Sequence, residues 1–184
     1  EARWKTDRKF HNFKAWRAWK GLGSPYFKHR LHLAGEIQPL ISYLFSEWKC
    51  NLDCHYCWSY DNSVKGMSEA TAKASIDWLH GVGNRLLALM GGEPLLRPHF
   101  IHKIVDYATK KDFLVYLPTN GRLMKPDVID RLGDAGLATI NLAVDTINEK
   151  PGLAKALAPI RPYFDHALKV GKKYQMSTFF NVCI

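Results

Sequence analysis

Three of the four cysteines in this 184-residue chain fall within eight residues, in the run Cys50-Asn-Leu-Asp-Cys54-His-Tyr-Cys57. Thiolates at this C-x3-C-x2-C spacing can hold three corners of one cubane iron–sulfur cluster and leave the fourth iron without a protein ligand. An open coordination site of that kind can bind a substrate or cosubstrate. A zinc site is one alternative, but zinc wants a fourth ligand, and His55 sits between two cysteines where joint chelation is awkward. A ferredoxin-type cluster is another; it needs a fourth cysteine, and Cys183 alone remains. The clustering argues against a disulfide framework and for a metal site in a reducing compartment. Cys183 stands in an apolar run and reads as a buried structural thiol.

The elements that must position these thiols are legible from residue 37 onward as strands alternating with helices. Pro39–Ser46 is a short apolar run, read as a first strand, and the cysteines lie in the polar loop after it. Ser68 is an N-cap for a helix over 69–80, ended by Gly81 and Gly83. Strands are expected at 85–90, 113–117, 139–144 and 177–184. Helices are expected from Pro98 to about Lys110, from Pro126 to just before Gly136, and through to about Tyr174 with interruptions near Pro159 and Pro162. Five strands alternating with four helices imply a parallel sheet with right-handed crossovers, an α/β fold. The strands are apolar on both faces, as buried parallel strands are. Polar and glycine-rich residues gather after each strand, and in barrel-like α/β folds that rim builds the site.

Each of those rim segments has a chemical reading. In Gly91-Gly92-Glu93-Pro94, two glycines let a backbone approach a ligand closely, and strand-end carbonyls can accept hydrogen bonds from an ammonium. Thr119-Asn120-Gly121 ends the third strand, and Asp145 follows the fourth. By themselves the first two are turns. Arg97 and Lys103 read as solvated helix charges, and His99 and His102, three apart without a carboxylate partner, as surface residues.

The cysteine spacing, with the aromatic Tyr56 just before the third cysteine, resembles the signature of the radical S-adenosylmethionine (SAM) superfamily. The run CNLDCHYCW is especially similar to the branch of molybdenum-cofactor biosynthesis and SPASM-type enzymes. The resemblance covers about residues 38–184 and implies a partial (β/α) barrel of radical SAM type, with about five parallel strands visible. It implies that Cys50, Cys54 and Cys57 hold a [4Fe–4S] cluster whose fourth iron is chelated by the amino and carboxylate groups of SAM. It further implies that Tyr56 lies against the adenine, that Gly91, Gly92 and Glu93 bind the methionine amino group, and that Thr119 and Asn120 face the SAM pocket. After the fourth strand the family often has Ser-x-Asp; Ala143 departs from this and loses a serine contact, while Asp145 is kept for a ribose hydroxyl or a substrate. Asn141 can reach the pocket from mid-strand, and Asn181 faces the ribose or methionine carboxylate region. Trp58 shields the cluster.

Activity by this resemblance is reductive cleavage of SAM to a 5′-deoxyadenosyl radical, which abstracts hydrogen from an unidentified substrate, a peptide or small metabolite before a lipid. The implied partners are that substrate and an electron donor such as flavodoxin or ferredoxin. A non-catalytic metal- or nucleic-acid-binding protein is the reading from another class.

Composition limits these readings. Apolar residues make up 47% and charged residues 23%, as in a folded globular domain rather than a disordered tail. No run of eighteen apolar residues occurs, and the first forty residues are too rich in Lys and Arg for a signal peptide, so a cytoplasmic protein is expected. A chain that begins at Glu1 reads as a fragment or processed form, and the core as incomplete at its C-terminus. The formal charge of +9 is uneven. Residues 1–36 hold nine basic residues against three acidic ones, with Trp4, Phe10, Phe13, Trp16 and Trp19 interleaved. This extension reads as a helix packed on the barrel with its basic groups outward. Peripheral contact with an anionic membrane is the alternative, and nucleic-acid binding comes last.

Overall fold

The computed structural model describes residues 39–58 and 61–182. Its five strands are β1 (Ser42–Glu47), β2 (Leu86–Gly91), β3 (Leu114–Thr119), β4 (Thr139–Ala143) and β5 (Ser177–Asn181). They pair in parallel in the order β1-β2-β3-β4-β5. Between them run α1 (Glu69–Gly81), α2 (Pro98–Lys110), α3 (Pro126–Asp134) and α4 (Arg161–Tyr174). Sequential order with crossovers of one hand puts every helix on the same face and curls the sheet toward a barrel. The expected partial (β/α) barrel is therefore the fold. Expectations for residues 1–36 and for Cys183 fall outside the described residues.

Local chemistry sets the element ends. Ser68 Oγ accepts from the Thr71 amide at 3.0 Å, the cap expected for α1. Pro98 and Pro126 each stand in a first helical turn, where a missing N–H costs nothing. The stretch after β4 departs from expectation. Residues 146–157 are not helical but fold back through the bridges Thr146–Ala156 and Lys150–Leu153. Pro159 sits in a short 3-10 turn (Ala158–Ile160), and Pro162 falls in the first turn of α4. Both prolines thus mark a helix start rather than an interruption.

The core lies between sheet and helices. Leu44, Leu87, Leu89, Val115, Leu117, Ile140 and Leu142 are buried against Ile76, Ile101, Ile104, Ile129, Leu132 and Ala167 of the four helices. Burying one such leucine or isoleucine contributes about 1.5–3 kcal/mol. The opposite face differs from the sequence expectation of strands buried on both sides. Along β3 the residues alternate, with Val115 and Leu117 buried and Leu114, Tyr116 and Pro118 half-buried. Tyr43 is 59% exposed and Phe179 44%. The reason is topological: among the described residues helices cover one face, and the other is the concave interior.

Candidate functional site

The cysteine loop begins where β1 is interrupted by a register shift between Phe45 and Glu47. Glu47 is buried and does three things there. Its Oε1 accepts from the Trp48 and Lys49 amides at 2.9 and 3.0 Å, turning the chain off the sheet. Oε2 pairs with Arg97 at 3.6 Å. The Glu47 carbonyl accepts from the Gly92 amide at 2.8 Å, and the Lys49 carbonyl from the Glu93 amide at 2.8 Å. The loop is thereby fastened to the end of β2. Arg97 is not the solvated charge expected from sequence: Nη1 also donates to the Met67 carbonyl at 2.8 Å, and the guanidinium lies 4.0 Å from the Phe100 ring centroid. Lys103 is 60% exposed and pairs with Glu69, and His99 is exposed, as expected.

Gly91 and Gly92 have a local reason to be glycine. A Cβ on Gly91, whose φ is +140°, would stand 1.7 Å from the Glu47 carbonyl oxygen, and one on Gly92 would stand 2.3 Å from that of Lys49. What approaches these two residues so closely is their own chain at the start of the cysteine loop. A side chain at either position would push the loop off the strand end.

Cys50, Cys54 and Cys57 are all thiols. Cys54 is buried, and the other two are partly exposed. Return hydrogen bonds set the loop. Asn62 Oδ1 accepts from the Cys50 amide at 3.0 Å, the Cys54 carbonyl accepts from the Cys57 amide at 2.9 Å, and the Trp48 carbonyl accepts from the Asp61 amide at 2.9 Å. The Cys50 sulfur accepts from the Leu52 amide at 3.5 Å and from Asn120 Nδ2 at 3.9 Å. Burial pushes the Cys50 thiol up, partly offset by the Leu52 amide. Burial also pushes Cys54 up, against the pull of the Lys155 ammonium. Among the described residues no three of His, Cys, Asp and Glu are grouped to hold a single metal ion. Ligands of one zinc must converge to about 2.3 Å from a point, whereas thiolates on separate irons of a cubane stay apart. A short loop with three thiols, N–H donors aimed at one sulfur and a nearby ammonium fits a cluster.

The ends of β2 and β3 are joined through Glu93, which is fully buried. Its Oε1 accepts from the Leu95 amide at 2.9 Å and from Thr119 Oγ1 at 2.8 Å, and its Oε2 from the Asn120 amide at 2.9 Å. Burial pushes the Glu93 carboxyl up, and these three donors pull it back. Thr119 Oγ1 also accepts from the Gly121 amide at 3.1 Å. Glu93 and Thr119 thus bond within the chain and place the backbone around them. Asn120 reaches outward instead, donating to Asn51 Oδ1 at 2.8 Å as well as to Cys50.

Tyr56 and Asp145, far apart in sequence, meet: the phenol donates to the Asp145 carboxylate. The Lys155 ammonium lies 4.9 Å from the Tyr56 ring centroid, and the Lys155 carbonyl accepts from the Asp145 amide at 2.8 Å. His55 Nδ1 bonds to the Gly152 carbonyl at 2.7 Å. Segment 146–157 is therefore laid against the cysteine loop and held on its other side by Arg122, which bonds to Glu149 and, at 3.1 Å, to the Ala154 carbonyl. Sequence reading missed Lys155, Arg122, Asn51 and Asn62; of these Asn51, inside the cysteine run, and Arg122, directly after the Thr119–Gly121 turn, carried a local signal. Asn181 stands apart from this group at the exposed end of β5, paired in register with Ala143. Trp58 is 80% exposed, its ring 6.0 Å from that of Phe45.

Comparison with known proteins gives the family and the fold. The family model described as the Radical SAM superfamily matches residues 49–184. An AdoMet-dependent heme synthase of Methanosarcina barkeri is 36% identical over 102 residues, covering 54% of this chain and 29% of the relative. A GTP 3′,8-cyclase of Aliarcobacter butzleri is 33% identical over 150 residues, covering 70% of this chain and 43% of the relative. The chain thus spans less than half the length of these curated relatives. The solved structure of BtrN in complex with AdoMet and 2-DOIA superimposes with a TM-score of 0.60 at 18% identity, covering 77% of this chain and 56% of that one, a likeness of fold. The chain belongs to the radical SAM superfamily, enzymes whose cofactors are a [4Fe–4S] cluster and S-adenosylmethionine.

Proposed function

We propose that this chain is the cofactor-binding core of a radical SAM enzyme acting on a small-molecule precursor, with a peptide as the second substrate class. In this reading Cys50, Cys54 and Cys57 each hold one iron, and SAM lies along the C-terminal ends of the strands. The two cofactors supply, when bound, reductive cleavage of SAM and hydrogen-atom abstraction from an unactivated C–H. Everything else belongs to the chain. Asn120 and the Leu52 amide donate to the Cys50 sulfur and hold it in place. The Gly91–Glu93 backbone, set by the buried Glu93, offers strand-end carbonyls to the methionine ammonium. Tyr56, held by Asp145 and covered by Lys155, presents a flat surface for the adenine. Asp145 then acts mainly by holding Tyr56, and Asn181 serves from the far rim. Relatives named for making haem and for cyclising GTP favour a precursor of a cofactor. An electron donor such as flavodoxin or ferredoxin, and a cytoplasmic location, belong to the same reading; among the described residues no helix is long and apolar enough to cross a membrane.

The observation that carries this reading is the direct bonding of the three-thiol loop to the Gly92–Glu93 backbone and to Asn120. Anaerobic reconstitution with iron and sulfide tests it. The expected product is brown, is bleached by dithionite, and holds about four irons and four sulfides per chain. A colourless product that retains zinc would sink the reading.

A further inference from the structure

On the concave face of the sheet, away from the helices, lies a hollow of about 370 Å³ whose lining includes Tyr43, Met90, Tyr116, Pro118, Asn141 and Asn181. Among the described residues no Lys, Arg, His, Asp or Glu lines it. Burial pushes the Tyr116 phenol above its ordinary value, which keeps its hydroxyl protonated at neutral pH. Strand register sets its depth. Ala143 and Asn181 pair at the strand ends, Asn141 pairs with Phe179 and Pro118 one layer below, and Tyr116 pairs with Thr139 and Ala88 below that. At about 3.3 Å per residue, Asn141 lies about 7 Å beneath the rim.

Asn141 is the anomaly of this wall. It is 3% exposed, and its Nδ2 donates to the Tyr116 hydroxyl. Its Oδ1 is buried and has no hydrogen-bond partner among the described residues. A buried amide oxygen left without a donor is costly, and native interiors rarely tolerate one. The surrounding rings of Tyr116 and Phe179, 5.8 Å apart and tilted, offer aromatic surface beside it.

We infer that this hollow takes the uncharged, flat part of the substrate, and that an N–H or O–H of that part donates to Asn141 Oδ1. The inference rests on the function proposed above, because a hydrogen donor must lie directly beneath SAM at the strand ends. A phosphate or carboxylate would enter a wall with no counter-charge and lose its hydration without compensation. Charged parts of the substrate therefore stay at or above the rim. Asn141 is a specificity-determining residue in this scheme, selecting a ring that bears a donor over one that does not.

Three small probes test this on the reconstituted chain by ligand-observed NMR titration. Indole is flat and carries one N–H; 1-methylindole lacks the donor; indole-3-acetate adds a carboxylate. Indole is expected to bind about tenfold more tightly than 1-methylindole, the difference of one hydrogen bond to a buried group. Indole-3-acetate is expected to bind most weakly. In Asn141→Leu, indole and 1-methylindole should bind equally, and saturating SAM should not displace indole from the unmodified chain. Equal binding of the first two probes to the unmodified chain, preference for the acetate, or displacement by SAM would each overturn the inference. The unmodified chain decides these points even if Asn141→Leu fails to fold. SAM cleavage without an indole preference removes the hollow alone; failure to cleave SAM removes the function beneath it, whatever indole does.

Discussion

Replacing Cys50, Cys54 or Cys57 singly with Ala is expected to reduce bound iron to background and to abolish SAM cleavage, while Cys183→Ala leaves both intact. With one iron already left to SAM, the loss of any thiolate leaves two protein ligands for four irons, too few to hold a cubane. Asn120→Ala offers a graded comparison. It removes a donor to the Cys50 sulfur and the tie to Asn51 but no ligand, so a roughly 10–100-fold loss of cluster affinity is expected, typical of groups that orient a metal ligand. Iron and sulfide analysis of the purified variants checks the series. Loss of the cluster in Cys183→Ala would mean that a fourth cysteine is a ligand and that no iron is left open.

Glu93→Ala should destabilise the chain by about 3 kcal/mol or more. It strands the Leu95 amide, the Thr119 hydroxyl and the Asn120 amide, all bonded to one carboxylate in a fully buried position. Each donor left without a partner costs about 1–3 kcal/mol, and relief of the buried carboxyl's own desolvation returns part of that. Since two of these bonds, from Thr119 and Asn120, tie the β2 end to the β3 end, SAM affinity is expected to fall along with the urea midpoint. Glu93→Gln keeps an acceptor oxygen and should lose less. An unchanged midpoint in Glu93→Ala would show that the two strand ends hold their places without this carboxylate.

What the sequence made legible was what nearest neighbours determine. Prolines and Ser68 marked helix starts, apolar runs marked strands, and the C-x3-C-x2-C loop followed β1 because polar, turn-rich residues interrupt an apolar run there. The contacts that assemble the site were not legible, because they join distant positions. Glu47 and Arg97 are 50 residues apart, Tyr56 and Asp145 are 89 apart, and His55 and Gly152 are 97 apart. Composition carries no sign of such pairing. The stretch 146–157 read as helical because its Ala, Leu and Lys content suits a helix, but Pro151 and Gly152 and the bonds to Arg122 and His55 hold it as a folded strap. Glu93 was named by its motif alone; nothing in the sequence signalled that its side chain accepts from Leu95, Thr119 and Asn120 inside the chain. The glycines before it have a second reason that the sequence did not show: the Glu47 and Lys49 carbonyls stand where a Cβ would be.

The most direct test of the account is the formation of 5′-deoxyadenosine. The reconstituted chain, given SAM and dithionite under anaerobic conditions, is expected to release 5′-deoxyadenosine and methionine in equal amounts, with none formed by Cys54→Ala. A fully loaded cluster that yields no 5′-deoxyadenosine, with SAM recovered unchanged, would contradict it.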